Sequence, residues 1–91
     1  MVAFFCYEMN YYVYILKSEV TGIYYKGVTQ DITNRLQEHN SGEMKFTKAY
    51  VPWILVGYIE KPNRSQALIL ERKLKNLSRE RLELFIDKYC K

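Results

Sequence analysis

The chain has few of the residues from which metal clusters and disulfide frameworks are built. Its 91 residues include one histidine, two cysteines and two prolines. The cysteines, Cys6 and Cys90, stand far apart and form no Cys-x-x-Cys motif. This arrangement argues against a structural zinc site and favours reduced thiols. The sequence leaves a disulfide between them open.

Long apolar runs are also scarce, so no membrane-spanning helix is expected. Residues 1–6 are apolar but lack the basic start and the cleavage region of a signal peptide. We therefore expect a cytoplasmic protein with no membrane association. One domain is expected over residues 1–91, with its core at about 11–82. Residues 1–8 would then be an N-terminal extension or a short added strand.

The positive charge is unevenly distributed along the chain. The formal net charge is +4, and residues 32–91 hold twelve Lys and Arg against seven Asp and Glu. A mild basic excess fits a polyanionic partner, and a requirement for solubility explains it equally well. The charge therefore supports nucleic-acid binding without establishing it.

Two runs rich in Tyr, Val and Ile, residues 11–17 and 23–28, predict strands joined in an antiparallel hairpin. If the loop centres on Glu19 and Val20, Tyr14 lies opposite Tyr25, with both side chains on one face. A slip of two residues would leave these tyrosines as diagonal neighbours, still close enough to share a site.

A helix and a third strand are predicted next. Asp31 is a good N-cap for a helix that runs to about His39, and Asn40-Ser41-Gly42 ends it. Residues 53–59 predict a strand, and their nearly continuous apolar character favours a central position covered on both faces.

Two further helices complete the element order. Asn63 or Ser65 can cap the first of them, and Ser78 can cap the second. The order β-β-α-β-α-α predicts an α/β (α+β) fold with a small three-stranded antiparallel sheet flanked by helices. The expected packing residues are Ala67, Leu70, Leu74 and Leu77 in the first helix, and Leu82, Phe85, Ile86 and Tyr89 in the second.

The hairpin tyrosines are the first candidates for chemistry. A tyrosine in a strand is usually structural, but two phenols on one face can polarise each other. Gly27 follows Tyr25 on the same face and removes a side chain there. It either leaves room for a ligand or marks a bulge or strand end.

Three polar residues on the predicted helices are the other candidates. Arg35 and His39 share one face of their helix, and a guanidinium can bind a phosphate through two parallel hydrogen bonds. His39 is equally compatible with a cation that interacts with the helix dipole. Glu71 lies at the edge of a buried stripe and is either a partner of Lys75 or a ligand for a divalent cation.

In order and spacing these residues resemble the GIY-YIG nuclease family, in its small stand-alone bacterial branch. The segment Tyr12-Val13-Tyr14 stands in place of the GIY element, and Tyr25-Lys26-Gly27 stands in place of the YIG element. Arg35 and Glu71 match the family arginine and the metal-binding glutamate. The resemblance covers about residues 11–82, and it departs from the family pattern at the first glycine and at the second isoleucine.

The resemblance implies a metal-dependent endonuclease that cleaves DNA, with repair or recombination as its expected setting. Glu71 would bind Mg²⁺ or Mn²⁺, and Arg35 would stabilise charge on the phosphate. Tyr25, hydrogen-bonded to Tyr14, would help to activate the attacking water, and His39 is a rival base. Lys26, Gly27, Lys45 and Lys48 are expected to contact nucleic acid.

Several properties stay open at this stage. The protein is either an active nuclease or a degenerate module that binds nucleic acid without cutting it. RNA is an alternative substrate, and structured or branched DNA is a candidate form of the DNA. The chain is expected to have no second domain that would supply substrate specificity. A homodimer or a partner protein would supply it instead.

Overall fold

The computed structural model describes residues 10–90. They form a three-stranded antiparallel sheet with helices on both faces, which confirms the predicted fold class and element order. The expectations for residues 1–8 and for Cys6 lie outside the described residues. The elements are β1 (Tyr11–Ser18), β2 (Tyr24–Thr29), α1 (Ile32–Asn40), a 3₁₀ turn (Lys48–Tyr50), β3 (Trp53–Lys61), α2 (Arg64–Lys75) and α3 (Arg79–Tyr89).

Each helix begins at a capping residue that the sequence predicts. The side chains of Asp31, Asn63 and Ser78 each accept a hydrogen bond from a backbone N–H in the first turn of the helix that follows. Asn63 therefore caps α2, and Ser65 lies inside that helix. Among the described residues, no helix is both long enough and apolar enough to cross a membrane.

The strand order is β2-β1-β3, so β1 is the central strand. The expectation that the third strand is central is therefore wrong. Its apolar run misleads because an edge strand can also be rich in apolar residues, and Ile54 of β3 is 41% exposed. By contrast, the four residues of β1 from Val13 to Leu16 are each at most 1% exposed.

The hairpin register differs by two residues from the direct pairing of the tyrosines. Tyr14 lies opposite Gly27, and Tyr25 lies opposite Leu16. The loop is centred one residue later than assumed, and Gly22 takes a positive φ of 79° within it. The direct pairing is wrong, and the two-residue slip that makes the tyrosines diagonal neighbours is correct.

Side chains of β1 alternate between two separate cores. On one face, Val13 and Ile15 pack against α2 and α3 through Ala67, Leu74 and Leu82. We call this side of the sheet the aliphatic face. The other residues expected to pack there do so, apart from Tyr89, which is 56% exposed.

The opposite side of the sheet is the aromatic face. Its buried hydrophobic residues are Tyr14, Leu16 and Trp53, and Ile32 and Leu36 of α1 pack against them. Ile32 and Leu36 are one turn apart, so α1 presents one apolar stripe to this core. Because successive residues of a strand point to opposite faces, one strand supplies both cores.

Candidate active site

A cavity of about 450 Å³ lies beside the edge strand β2. Its walls include Tyr14 of β1, Tyr25 of β2, Arg35 of α1 and Glu71 of α2. The helices α1 and α2 pack on opposite faces of the sheet, and their side chains meet at its free edge. The structure thus brings together four of the five residues predicted to be catalytic.

His39, the fifth residue, is fully buried behind Tyr14 and is not part of the cavity wall. Its Nε2 is 3.0 Å from the Tyr14 hydroxyl, and its Nδ1 is 2.8 Å from the hydroxyl of Thr47. It is therefore not an exposed cation at a helix end. It contacts two residues of the cavity wall, Tyr14 through a hydrogen bond and Tyr25 through its ring.

The two tyrosines meet through their rings, with centroids 6.2 Å apart. The expected hydrogen bond between Tyr25 and Tyr14 is replaced by the bond between Tyr14 and His39. Tyr25 also contacts the His39 ring, at a centroid distance of 4.9 Å. The three rings form one packed group at the wall of the cavity.

The hydrogen bonds around His39 fit the tautomer that carries its proton on Nδ1. The Thr47 hydroxyl lies 3.5 Å from the carbonyl oxygen of Met44, to which it can donate its single hydrogen. Thr47 then accepts from Nδ1–H of His39, and Nε2 accepts from the Tyr14 hydroxyl. Burial, followed by the charge of Arg35, lowers the pKa of His39, which keeps the ring neutral near pH 7.

Tyr14 is also neutral near pH 7. Burial, followed by the proximity of Tyr25, raises the pKa of the Tyr14 phenol, and the charge of Arg35 opposes this shift. A neutral phenol can donate to His39 and still accept a hydrogen bond from the cavity.

Gly27 makes room for Tyr14. A Cβ atom at Gly27 would lie 2.5 Å from the Tyr14 hydroxyl oxygen and 2.6 Å from Cζ of the ring. The space that the sequence suggested for a ligand is therefore occupied by the phenol. Gly27 still lines the cavity, where its backbone is part of the wall.

Arg35 and Glu71, two of the three charged residues that line the cavity, each have a partner on their own helix. Arg35 Nε is 3.0 Å from Glu38, and a Glu71 carboxylate oxygen is 3.4 Å from Lys75 Nζ. The Lys75 side chain is 55% exposed, so this pair contributes only about 0.3–0.5 kcal/mol. Glu71 therefore pairs with Lys75, as one interpretation of the sequence predicts, and it also lines the cavity. Its role as a cation ligand stays a prediction.

The three lysines predicted to bind nucleic acid lie outside the cavity wall. Strand alternation directs Lys26 away from the side of Tyr25 and Gly27, and burial followed by the charge of Lys75 lowers the pKa of Lys26. Lys45 and Lys48 are exposed in the connection between α1 and β3.

Sequence reasoning missed Arg64, which lines the cavity together with Leu68 and Glu71. These residues are spaced i, i+4 and i+7 and therefore share one face of α2. A second signal was present, because a cation in the first turn of a helix opposes the helix dipole. Thr47 was also missed, since its role depends on a contact made by folding.

The residues of the cavity fit one hydrated divalent cation. Within residues 10–90, no group of three or more His, Cys, Asp or Glu side chains is placed to hold a metal ion. Mg²⁺ usually keeps several waters and binds one or two carboxylates together with a substrate phosphate. Glu71 supplies a carboxylate of this kind, so the cation site would be completed by the nucleic acid.

Comparison with known proteins agrees with this geometry. Residues 10–83 match the model of the GIY-YIG catalytic domain. The UPF0213 protein BH0048 of Halalkalibacterium halodurans is 37% identical over 80 residues, covering 87% of this chain and 84% of that protein. The UPF0213 protein HQ_3675A of Haloquadratum walsbyi is 38% identical over 72 residues, covering 78% and 80%.

A solved structure is also similar. The solution NMR structure of the UPF0213 protein BH0048 from Bacillus halodurans is 35% identical to this chain and superposes with a TM-score of 0.59. The match covers 90% of this chain and 87% of that one. The chain therefore belongs to the GIY-YIG nuclease family, in the small stand-alone branch represented by the UPF0213 proteins.

Proposed function

We propose that this protein is a divalent-metal-dependent endonuclease that hydrolyses phosphodiester bonds in DNA. The observation that carries the proposal is the convergence of Tyr14, Tyr25, Arg35 and Glu71 on one cavity from four different elements. Packing of the two cores does not by itself require these four side chains to lie together at the edge of the sheet.

Two guanidinium groups would hold the strand. Arg35 and Arg64 line the same cavity but come from helices on opposite faces of the sheet. Each can bind a phosphate through two parallel hydrogen bonds. Arg35, whose charge acts on Tyr14, would stabilise the charge that develops on the scissile phosphate. Arg64 would contact a neighbouring phosphate and fix the register of the strand.

Tyr14 would accept a proton from the attacking water while it passes its own proton to His39. The hydrogen bond from Tyr14 to Nε2 of His39 provides this route, and the neutral state of His39 leaves Nε2 able to accept. Tyr25 would pack against the rings of Tyr14 and His39 and exclude water from the hydrogen bond between them. Bound Mg²⁺ or Mn²⁺ would neutralise the phosphate and stabilise the leaving oxygen.

Glu71→Gln tests this proposal. The change keeps the size of the side chain and removes the carboxylate assigned to the cation, so nicking of DNA should be lost at every Mg²⁺ concentration. Folding should survive, because the exposed pair with Lys75 contributes well under about 1 kcal/mol. Binding should persist, since a negative charge leaves the phosphate site.

The matched control is Glu80→Gln, which neutralises an exposed carboxylate at the start of α3. It should cut DNA at the rate of the parent protein. If Glu71→Gln cuts as fast as the parent, the metal mechanism is wrong and a module that only binds nucleic acid becomes the better account. A matched RNA strand in the same assay tests the alternative substrate.

A further inference from the structure

Phe46 is a large aromatic side chain that the fold leaves exposed near the candidate active site. Its exposed fraction is 66%. We propose that Phe46 stacks against an unpaired base of the DNA strand that is cut in the cavity. The inference rests on the proposed nuclease function and adds a substrate feature to it, namely an unpaired base close to the scissile phosphate.

The ring of Phe46 is continuous with the rings of the cavity wall. Its centroid is 6.4 Å from that of Tyr25, with planes inclined at 36°, and 5.9 Å from that of Tyr50. Tyr25 in turn contacts Tyr14 and lines the cavity. A strand whose phosphate is held in the cavity therefore has an aromatic surface beside it on which a neighbouring base can rest.

The position of Phe46 is fixed by the residue that follows it. Thr47 is fully buried, its hydroxyl is bonded to His39, and its carbonyl oxygen accepts a hydrogen bond of 3.0 Å from Nε1 of Trp53. The backbone beside Phe46 is thus anchored to the aromatic face. Because this backbone is already ordered, less conformational entropy is lost when the Phe46 ring binds a base.

The surrounding charges favour a nucleic acid as the occupant of this surface. Lys45 precedes Phe46, Lys48 lies two residues beyond it, and both are exposed. Cations that track a backbone, combined with aromatic rings that receive bases, are the usual elements of single-strand binding. Bases in a duplex are already paired and stacked, so the ring would select an unpaired base.

Phe46→Ala tests the proposal in a binding assay. The affinity of the protein for a single-stranded DNA oligonucleotide and for the matched blunt duplex would be measured by fluorescence anisotropy, with EDTA present to prevent cutting. We expect at least about a fivefold loss of affinity for the single strand. Affinity for the duplex should change by less than about twofold, since no unpaired base is available.

Two further variants separate stacking from a general loss of apolar surface. Phe46→Trp should preserve or increase affinity for the single strand, because it retains a flat ring. The matched control is Leu84→Ala on α3, since Leu84 is 67% exposed and lies outside the cavity wall. It should leave both affinities unchanged.

A spectroscopic readout identifies stacking directly. An oligonucleotide that carries 2-aminopurine should lose fluorescence when it binds the parent protein and lose less when it binds Phe46→Ala. Equal quenching, or equal loss of affinity for both forms of DNA, would overturn the stacking proposal. If the parent binds and cuts DNA while Phe46→Ala behaves identically, only this inference fails. A parent that neither binds nor cuts DNA would overturn the proposed function as well.

Discussion

The two faces of the sheet differ in the chemistry of their cores, although one strand supplies both. Val13 and Ile15 of β1 point into an aliphatic core, whereas Tyr14 and Leu16, their neighbours in sequence, point into an aromatic one. The aliphatic face is closed by α2 and α3, and the aromatic face by α1 and the segment that follows it.

The aromatic face also buries polar groups. His39, Thr47 and Ser18 are each at most 1% exposed. A buried polar group is costly unless it is hydrogen-bonded, and in the described part of the chain no buried side-chain nitrogen or oxygen lacks a partner. The comparison indicates that the aromatic face positions Tyr14, Tyr25 and Arg35 at the cavity. The aliphatic face mainly stabilises the fold, and its helix α2 brings Glu71 and Arg64 to the same cavity.

The largest expected effect comes from changing adjacent residues that point to opposite faces. Tyr14→Phe removes the hydroxyl that links the cavity to His39, so turnover should fall by about 10²–10⁴-fold. It should also destabilise the fold by about 1–3 kcal/mol, because Nε2 of His39 loses its partner. Ile15→Val should cost about 0.5–1.5 kcal/mol of stability while leaving turnover unchanged.

Initial nicking rates and urea unfolding measure these two effects separately. If Tyr14→Phe cuts DNA within about threefold of the parent rate, the proton route through Tyr14 is wrong, since general-acid–base groups contribute far more than that. If Ile15→Val slows cutting as much as Tyr14→Phe, the aliphatic core also contributes to turnover, and the contrast between the two faces is wrong.

Two glycines offer a second comparison of the faces. Gly27→Ala should displace the Tyr14 ring and lower turnover by about 100-fold, because the added methyl group cannot coexist with the phenol. Gly57→Ala would bring a methyl group to 2.6 Å from Cβ of Cys90. Cys90 follows the last residue of α3, so this variant should lose about 1–3 kcal/mol of stability and keep its turnover.

Initial nicking rates and calorimetric melting measure the outcome for both glycines. Full turnover in Gly27→Ala would show that close packing against Tyr14 is not what Gly27 provides. Loss of turnover in Gly57→Ala would show that packing on the aliphatic face also affects the site.

Much of the fold follows from local sequence signals. Asp31, Asn63 and Ser78 begin helices because their side chains bond to backbone groups only a few residues away. The strand order was not accessible in this way. Tyr-rich β1 and apolar β3 both read as strands, and their order depends on which side chains the helices cover. The register stayed open between two pairings because it depends on the length of the hairpin loop.

Part of the candidate site was also predictable from the sequence. Tyr14, Tyr25, Arg35 and Glu71 were identified by their spacing, which a family resemblance preserves. The burial of His39 could not be read from the sequence, because it depends on Thr47 closing over the ring from the far end of a loop. Arg64 shares one face of its helix with Glu71, and this spacing is visible in the sequence.

A smaller effect on turnover is expected from Thr47, which orients the His39 ring on the aromatic face. Thr47→Val keeps the shape of the side chain but leaves Nδ1 of His39 without its acceptor. We expect kcat to fall by about tenfold with little change in KM, because the wrong tautomer of His39 then competes. Thr47→Ser retains the hydroxyl and should retain kcat. Equal losses in both variants would indicate packing, with no role for the hydroxyl.

The smallest effect is a dependence of stability on pH. The pKa of His39 is lower in the folded protein than its ordinary value of about 6.5, so the unfolded chain binds the proton first as the pH falls. The free energy of unfolding should therefore decrease as the pH falls below about 6.5. His39→Gln should remove this part of the dependence. A parent and a variant whose melting temperatures fall in parallel from pH 8 to pH 5.5 would contradict the assignment.

The central claim is that the cavity beside β2 holds the reacting phosphate together with a cation. Crystals of the Tyr14→Phe variant, grown with Mn²⁺ and a short DNA strand, test it through the anomalous signal of manganese. The account predicts Mn²⁺ bound to Glu71, with a DNA phosphate between the cation and Arg35. Manganese bound elsewhere, with the strand outside the cavity, would contradict the account.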